Sequence, residues 1–291
     1  MRLAHLSDLH FRASTWNLFS KRILGTLNWL VKRRRDFAHE LLDPLPALFA
    51  ELKVDLILVT GDLTTTGLPA ELCAAQEALG RFEQPLLLLP GNHDQYTRGH
   101  FRRKTFYKWC ANPSTTHSLR EHGLEHHTLP NGWNLILLDT APATPLHFSG
   151  GHFSPELEAR LEALLVSLQG PTLVANHFPY FLTPNRDHRL LRGEALEQLL
   201  ARHRVRLYLH GHTHRHIMAN LQASGLPITL DAGSATYRPQ ATFNILDLTE
   251  ESCTVTPHRF SDGRWEPELS ETMAWAMPQK RVALPQQPDL L

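Results

Sequence analysis

The stretch Arg2–His10, RLAHLSDLH, carries the pattern that decides the fold: a short apolar run that stops abruptly in an acid and a histidine. The same pattern recurs along the chain. Asp55–Thr60 (DLILVT) runs into Gly-Asp, Pro85–Pro90 (PLLLLP) into Gly-Asn-His-Asp, and Trp133–Leu138 (WNLILL) into Asp-Thr. Thr172–Ala175 ends in Asn-His, and Leu207–Leu209 in His-Gly-His-Thr-His. Runs of this length bounded by turn residues predict buried strands. Helical periodicity lies between several of them, at Phe37–Leu52, Leu68–Phe82, Pro155–Leu168 and Leu190–His203. Ser154 followed by Pro155 predicts a capped helix start. After His216 the runs Pro227–Asp231, Ala241–Leu248 and Ser252–Phe260 follow without an intervening helix, which predicts an antiparallel closing sheet. The expected architecture is one α/β domain over residues 1–261, with two packed sheets flanked by helices. Residues 12–35 read as an insertion, and the Pro-rich, polar stretch 262–291 as a peripheral tail.

Composition bounds the function. The 291 residues are 42% hydrophobic and 20% charged, enough apolar matter for a sizeable core. Lys+Arg 29 against Asp+Glu 29 gives zero formal net charge, which excludes a uniformly basic nucleic-acid coat. No apolar run approaches the roughly 18 residues of a membrane span. The first residues lack the apolar region and cleavage site of a secretory leader. Three scattered cysteines argue for a reducing compartment and against a disulfide framework or thiolate zinc site. The expected location is cytoplasmic. The 19 histidines stand out.

Asp8 and His10 are two apart, as are His210 and His212, a spacing that in a strand puts both side chains on one face. Asp62 ends the second apolar run, Asn92 and His93 together end the third, and His177 ends a later one. These groups offer oxygen and imidazole, a set suited to Mn²⁺, Fe, Zn²⁺ or Mg²⁺. Leaving His93 aside, seven ligands exceed one tetrahedral ion and fit two ions that share a carboxylate. Collection at the carboxyl ends of strands follows the rule for open α/β sheets.

The ordered set Asp8-Leu9-His10, Gly61-Asp62, Gly91-Asn92-His93-Asp94, Asn176-His177 and His210-Gly211-His212 resembles the calcineurin-like metallophosphoesterase superfamily over about residues 2–250. The resemblance implies a four-layer α/β/β/α sandwich and a hydrolase with two divalent metal ions, manganese first in expectation. Asp8, His10 and His212 would hold the first ion, Asn92, His177 and His210 the second, and Asp62 would bridge them. Such a pair lowers the pKa of a shared water and neutralises phosphoryl oxygens. His93 would then serve as general acid, oriented by Asp94.

Substrate choice rests on three further stretches. Arg12–Arg35 is basic and amphipathic, with Lys21, Arg22 and Arg33 opposite an apolar face and Leu18 and Trp29 set among the charges. Such a helix reads either as a packed element with a solvated basic face or as a contact to an anionic membrane surface. Arg98–Trp109 interleaves basic and aromatic residues, with Arg98, Arg102 and Arg103 as phosphate-neutralising candidates. Because the rest of the chain is not basic, this stretch argues weakly for a nucleic-acid groove. Arg186 and Arg189 offer guanidinium forks for phosphate. The segment Ser20–Asn28 followed by Arg33-Arg34-Arg35 is similar to the chlamydial-type UDP-2,3-diacylglucosamine pyrophosphatases of lipid A synthesis. That similarity implies a nucleotide-lipid substrate, UMP and 2,3-diacylglucosamine 1-phosphate as products, and peripheral association with the inner membrane. A 3',5'-cyclic-nucleotide phosphodiesterase shares every metal motif and stays as the alternative.

Overall fold

A computed structural model describes residues 1–13, 36–113, 115–142, 149–181 and 188–275. The expectations placed on Leu18, Lys21, Arg22, Trp29, Arg33 and Arg186 lie outside these residues. The strands are β1 (Arg2–Leu6), β2 (Leu56–Val59), β3 (Leu86–Leu88), β4 (Leu124–Thr128), β5 (Asn134–Leu138), β6 (Thr172–Ala175), β7 (Leu207–His210), β8 (His216–Asn220), β9 (Ile228–Ala232), β10 (Thr242–Leu248), β11 (Ser252–Ser261), β12 (Arg264–Pro267) and β13 (Glu271–Ala274). The helices are α1 (Leu45–Glu51), α2 (Pro69–Leu79), α3 (Arg98–Arg102), α4 (Phe106–Trp109), α5 (Leu119–His122), α6 (Pro155–Ser167) and α7 (Gly193–Arg202).

The strands form a seven-stranded sheet, β12-β11-β10-β1-β2-β3 with β13 beside β11, and a six-stranded sheet, β4-β5-β6-β7-β9-β8. The period-two alternation of side chains explains the layering. On the first sheet Leu3, Leu56, Leu58 and Leu87 point into a core shared with Leu135, Leu137, Leu173, Leu207, Leu209 and Leu230 of the second. Their neighbours Ala4, Leu6, Ile57, Val59 and Leu88 pack instead on Leu45 and Phe49 of α1 and Leu72, Ala75 and Leu79 of α2. On the second sheet Ile136, Leu138, Val174 and Tyr208 meet Leu157, Leu161 and Leu165 of α6 and Leu196, Leu199 and Leu200 of α7. A strand buried on both faces has no polar side to show, so the sequence reads as unbroken apolar runs. The result is the expected helix–sheet–sheet–helix stack.

Two expectations are corrected. The stretch Pro227–Asp231 does not close an antiparallel sheet with its successors. As β9 it lies parallel to β7 in the second sheet, while β10 pairs antiparallel with β1 in the first. The helix expected over Phe37–Leu52 is divided into a 3₁₀ turn, His39–Leu42, and α1, because Pro44 falls between them. Ser154 caps α6 as expected, accepting from the Leu157 amide at 3.2 Å.

The stretch after Ser261 is not peripheral as far as Trp275. β12 and β13 both pair with β11. Trp265 is buried and its indole N–H donates to the Leu41 carbonyl at 2.9 Å; Met273 and Trp275 are buried in the inter-sheet core. A buried aromatic side chain contributes on the order of 1.5–3 kcal/mol. A chain truncated after Ser261 is therefore expected to melt well below the full-length protein or not to fold, as read by calorimetry; unchanged melting would mean these strands are dispensable.

Candidate metal centre

The loops that leave β1, β2, β3, β6 and β7 converge at the carboxyl ends of the strands. Asp8 and His10 follow β1, but the face-sharing geometry expected of a strand is not what brings them together. Both have left the strand, with φ of 56° and 49°. Asp62 (52°), His212 (73°) and His214 (55°) share this left-handed conformation. It costs on the order of 1 kcal/mol per non-glycine residue and is held only where the surroundings enforce it. Here the enforcement is visible. The amides of Asp8 and His10 donate to the carbonyls of Gly61 and Asp62 at 3.0 and 2.9 Å, zipping two turns together. The approach is so close that glycine is required: a Cβ on Gly91 would fall 2.1 Å from Asp62 Oδ1, and one on Gly211 1.8 Å from Ser7 Oγ.

The side chains form two adjacent foci. Asp8, His10 and His214 make the first, and Asp62, His177 and His212 the second, with Asp62 also grouped with His10 and His93. At the first, His214 Nε2 lies 3.1 Å from Asp8 Oδ1 and 3.0 Å from His10 Nε2. At the second, His177 Nε2 is 3.3 Å from Asp62 Oδ2, and His10 Nε2 is 3.9 Å from the same oxygen. Backbone carbonyls set the tautomers, since a carbonyl can only accept. His177 Nδ1 donates to Thr60 O at 2.7 Å and leaves Nε2 as the free lone pair. His212 Nε2 donates to His188 O at 3.0 Å and leaves Nδ1.

Whether these residues fit divalent ions is tested by their unused atoms. Asp8 Oδ1 and His177 Nε2, one in each focus, are buried without a hydrogen-bond partner, as are Asn92 Oδ1 and His210 Nε2. Buried polar atoms are ordinarily paired, so orphaned acceptors at one place are what a cation site requires. The electrostatics agree. Burial opposes charge on His177, yet Asp62 and Asp8 outweigh it and raise the imidazole to about 10. Burial likewise opposes charge on Asp62, but His177, His93 and His10 hold its carboxyl well below the usual range. Two buried carboxylates thus demand positive charge, and the donor set of oxygen and imidazole suits borderline divalent metals.

The sequence reading misplaced two ligands: His212, expected at the first ion with Asp8 and His10, falls in the second focus with Asp62 and His177. His210 is not in either focus. It ends β7, its ring lies against Phe181 and Tyr208 (5.6 and 5.8 Å), and its Nδ1 donates to Gly211 O at 3.0 Å. The pair brought to the centre is His212 and His214. The chain departs the strand at Gly211, so strand alternation cannot be carried through it. The visible signal was the second His-x-His spacing in His210-Gly211-His212-Thr213-His214, one step further on.

His93 stands beside the centre, 29% exposed, with Nε2 4.0 Å from Asp62 Oδ2. Asp94 does not orient its ring. His93 Nδ1 donates to Thr65 O at 2.7 Å, whereas the buried Asp94 carboxylate accepts from the amides of Leu63, Thr64 and Gly91 and from the Thr64 hydroxyl. Asp94 therefore binds the Asp62 turn to the His93 turn. Burial, reinforced by the charge on Asp62, lifts its carboxyl to about 7. Tyr96, absent from the sequence reading, stacks on His93 at 5.9 Å.

Within Arg98–Trp109 Phe101 is exposed, but the other aromatic residues are not free to stack on a base. Phe106 is buried, Tyr107 and Trp109 pack against the core, and the Tyr107 hydroxyl donates to Asp139. Arg98, Arg102 and Arg103 are exposed along and just after α3, and Arg189 is half-buried. Among the described residues no helix is long and apolar enough to cross a membrane.

Residues 1–216 match the calcineurin-like phosphoesterase family, and the chain belongs to it. Among curated proteins, the glycerophosphodiester phosphodiesterase GpdQ of Enterobacter lignolyticus (strain SCF1) is 34% identical over 94 residues, a match spanning 32% of this chain and 30% of that relative's length. Among solved structures, a dimetal phosphatase from Danio rerio superposes with a TM-score of 0.69 at 14% identity, covering 94% of this chain and 99% of that one. The purple acid phosphatase PPD1 of yellow lupin (Lupinus luteus) superposes with a TM-score of 0.65 at 12% identity, covering 97% of this chain and 57% of that one. At these identities the structural likeness concerns the fold.

The two histidine assignments separate by metal analysis. His214→Ala is expected to lose one of two bound equivalents, whereas folded His210→Ala keeps both. Two full equivalents in the His214 variant would return the first focus to His212 and the second to His210.

Proposed function

We propose that this protein is a dimetal hydrolase of phosphodiesters or pyrophosphates. The observation that carries the reading is that two unpartnered buried atoms, Asp8 Oδ1 and His177 Nε2, lie in two adjacent foci linked where His10 Nε2 approaches Asp62 Oδ2, with half-exposed His93 alongside. Asp8, His10 and His214 would hold one ion and Asn92, His177 and His212 the other, with Asp62 common to both and manganese the metal we expect. When bound, the ions supply an acidified water and neutralise the phosphoryl oxygens. The chain's own residues complete the reaction. The new bond forms between water oxygen and phosphorus, in line with the ester oxygen that leaves. His93, its Nδ1 fixed on Thr65 O, presents Nε2 to that oxygen and gives it a proton. Asp94 keeps the His93 turn in register with the Asp62 turn.

The diester class is supported by the likeness to the glycerophosphodiester phosphodiesterase. The finer reading, a UDP-2,3-diacylglucosamine diphosphatase of lipid A synthesis at an anionic membrane surface, is supported by the basic apolar stretch Arg12–Arg35 and by the position of its flanking residues. Phe11 bridges to Thr64, and the Phe37 ring lies 4.9 Å from His10 and 5.7 Å from His214. A cyclic-nucleotide phosphodiesterase remains the competing substrate reading. Mass spectrometry of products from a mixture of UDP-diacylglucosamine, cyclic AMP, glycerophosphodiesters and CDP-alcohols decides among them: UMP with diacylglucosamine 1-phosphate supports the lipid reading, and AMP alone supports the alternative.

His93→Ala is expected to keep its metals and lose turnover by about 10²–10⁴ on alkyl esters, with a smaller loss on nitrophenyl esters that need no proton. An equal loss on both would exclude proton delivery by His93. In ¹⁸O water, single turnover is expected to put the label in the phosphoryl product; a trapped phosphoenzyme would instead make a side chain the nucleophile.

A further inference from the structure

The turn that carries His212 and His214 has no regular secondary structure of its own, and both histidines sit at positive φ. The residue between them supplies the tie. Thr213 Oγ1 donates to Asp231 Oδ2 at 2.6 Å. Asp231 is fully buried in β9, between β7 and β8, and its other oxygen accepts from the Gly233 amide at 2.8 Å. Three residues on, Ser234 Oγ donates to Asp8 O at 2.6 Å and Thr236 Oγ1 to Leu9 O at 2.9 Å, both fully buried. The Ala235 amide donates to Ser7 O at 3.3 Å. One short segment, residues 231–236, thus grips the backbone of the Asp8–His10 turn and the middle of the His212–His214 turn.

We propose that Asp231, acting through Thr213, and Ser234, acting on the Asp8 carbonyl, are positioning residues that hold Asp8, His10 and His214 in their cation-binding arrangement. This rests on the reading that those three side chains hold a divalent ion. The two turns come from strands of different sheets, β1 and β7, so no hydrogen-bond ladder fixes one against the other. A fully buried carboxyl group is a demanding group to place merely to close a turn, since its polar oxygens must be met by hydrogen-bond partners. Here its Oδ2 meets the hydroxyl that lies between two ligands at 2.6 Å, with His210 Nδ1 further off at 3.4 Å. Ligands held off their preferred backbone conformation relax once that tie is cut, and the cost appears in metal affinity, where outer partners act.

The test uses full-length protein, Mn²⁺ titration by calorimetry, and melting of the metal-free form. Thr213→Val keeps the shape and removes the hydroxyl; Thr213→Ser keeps the hydroxyl. The Val variant is expected to melt metal-free like the wild type and to bind Mn²⁺ about 10–100-fold more weakly at one of two sites, with Ser restoring affinity. Ser234→Ala is expected to weaken the same site. The inference is overturned if the Val variant binds both equivalents like the wild type, if Ser binds no better than Val, or if metal-free melting falls together with affinity. Wild-type protein that binds no Mn²⁺ defeats the dimetal reading and this inference with it; two wild-type equivalents with an unaffected Val variant defeat this inference alone.

Discussion

Asp62 lies almost wholly out of water, and its Oδ2 faces His177 at 3.3 Å and His10 at 3.9 Å. A charge so placed is tolerated only with opposite charge and donors around it. Much of the molecule can be understood as meeting that demand. Its other oxygen accepts the His93 amide at 2.9 Å, which draws the loop after β3 toward the loop after β2. Asp94 then answers from the other side, taking the amides of Leu63 and Thr64. Gly61 and Gly91 clear the space, because a methyl at either would strike His177 or Asp62 itself. The centre is therefore a knot of backbone turns tied around one carboxylate, and the sheets are the frame that lets the turns meet.

The frame was legible because its strands bury both faces. β1 and β6 span the runs read from sequence, and α2, α6 and α7 fall within the expected helical stretches. Pairing was less legible. Nothing in Pro227–Asp231 says that it will lie parallel to β7, since the connection is β8, itself a short, half-exposed edge strand that no apolar run announces. β4, LEHHT, escaped for the same reason. The strands β12 and β13 are polar on one face, so Trp265 and Met273 alone marked them as part of the sheet.

The centre was legible in kind and incomplete in detail. Five of the seven expected ligands, Asp8, His10, Asp62, His177 and His212, fall within the two foci, because residue type and order survive any local geometry. His210 was mistaken for a ligand because a strand rule was carried past Gly211, where the chain turns left-handed and the next two histidines swing inward. Asp94 was given a side-chain task beside His93 when its work is on backbone amides. The ties from Thr60 O, Thr65 O and residues 231–236 are contacts between distant parts of the chain, and a motif search within one stretch has no means of seeing them.

The pairing of β1 with β10 has a temporal meaning. Arg2 is opposite Asp247, and Ala4 opposite Ile245. The strand that opens the chain waits for one nearly the whole sequence away before both its edges are filled. Contacts so remote are slow to form, because the loop entropy is lost before the pairing returns anything. On the ribosome, the Asp8–His10 turn can be met early by the Gly61 and Asp62 carbonyls, but it lacks its contacts to Ser234 and Thr236 until residues 231–236 have emerged. The second sheet can assemble much of its parallel core, β5 through β7, before then. Synthesis thus makes completion of the centre a late event, since the His212–His214 turn and residues 231–236 both follow β7.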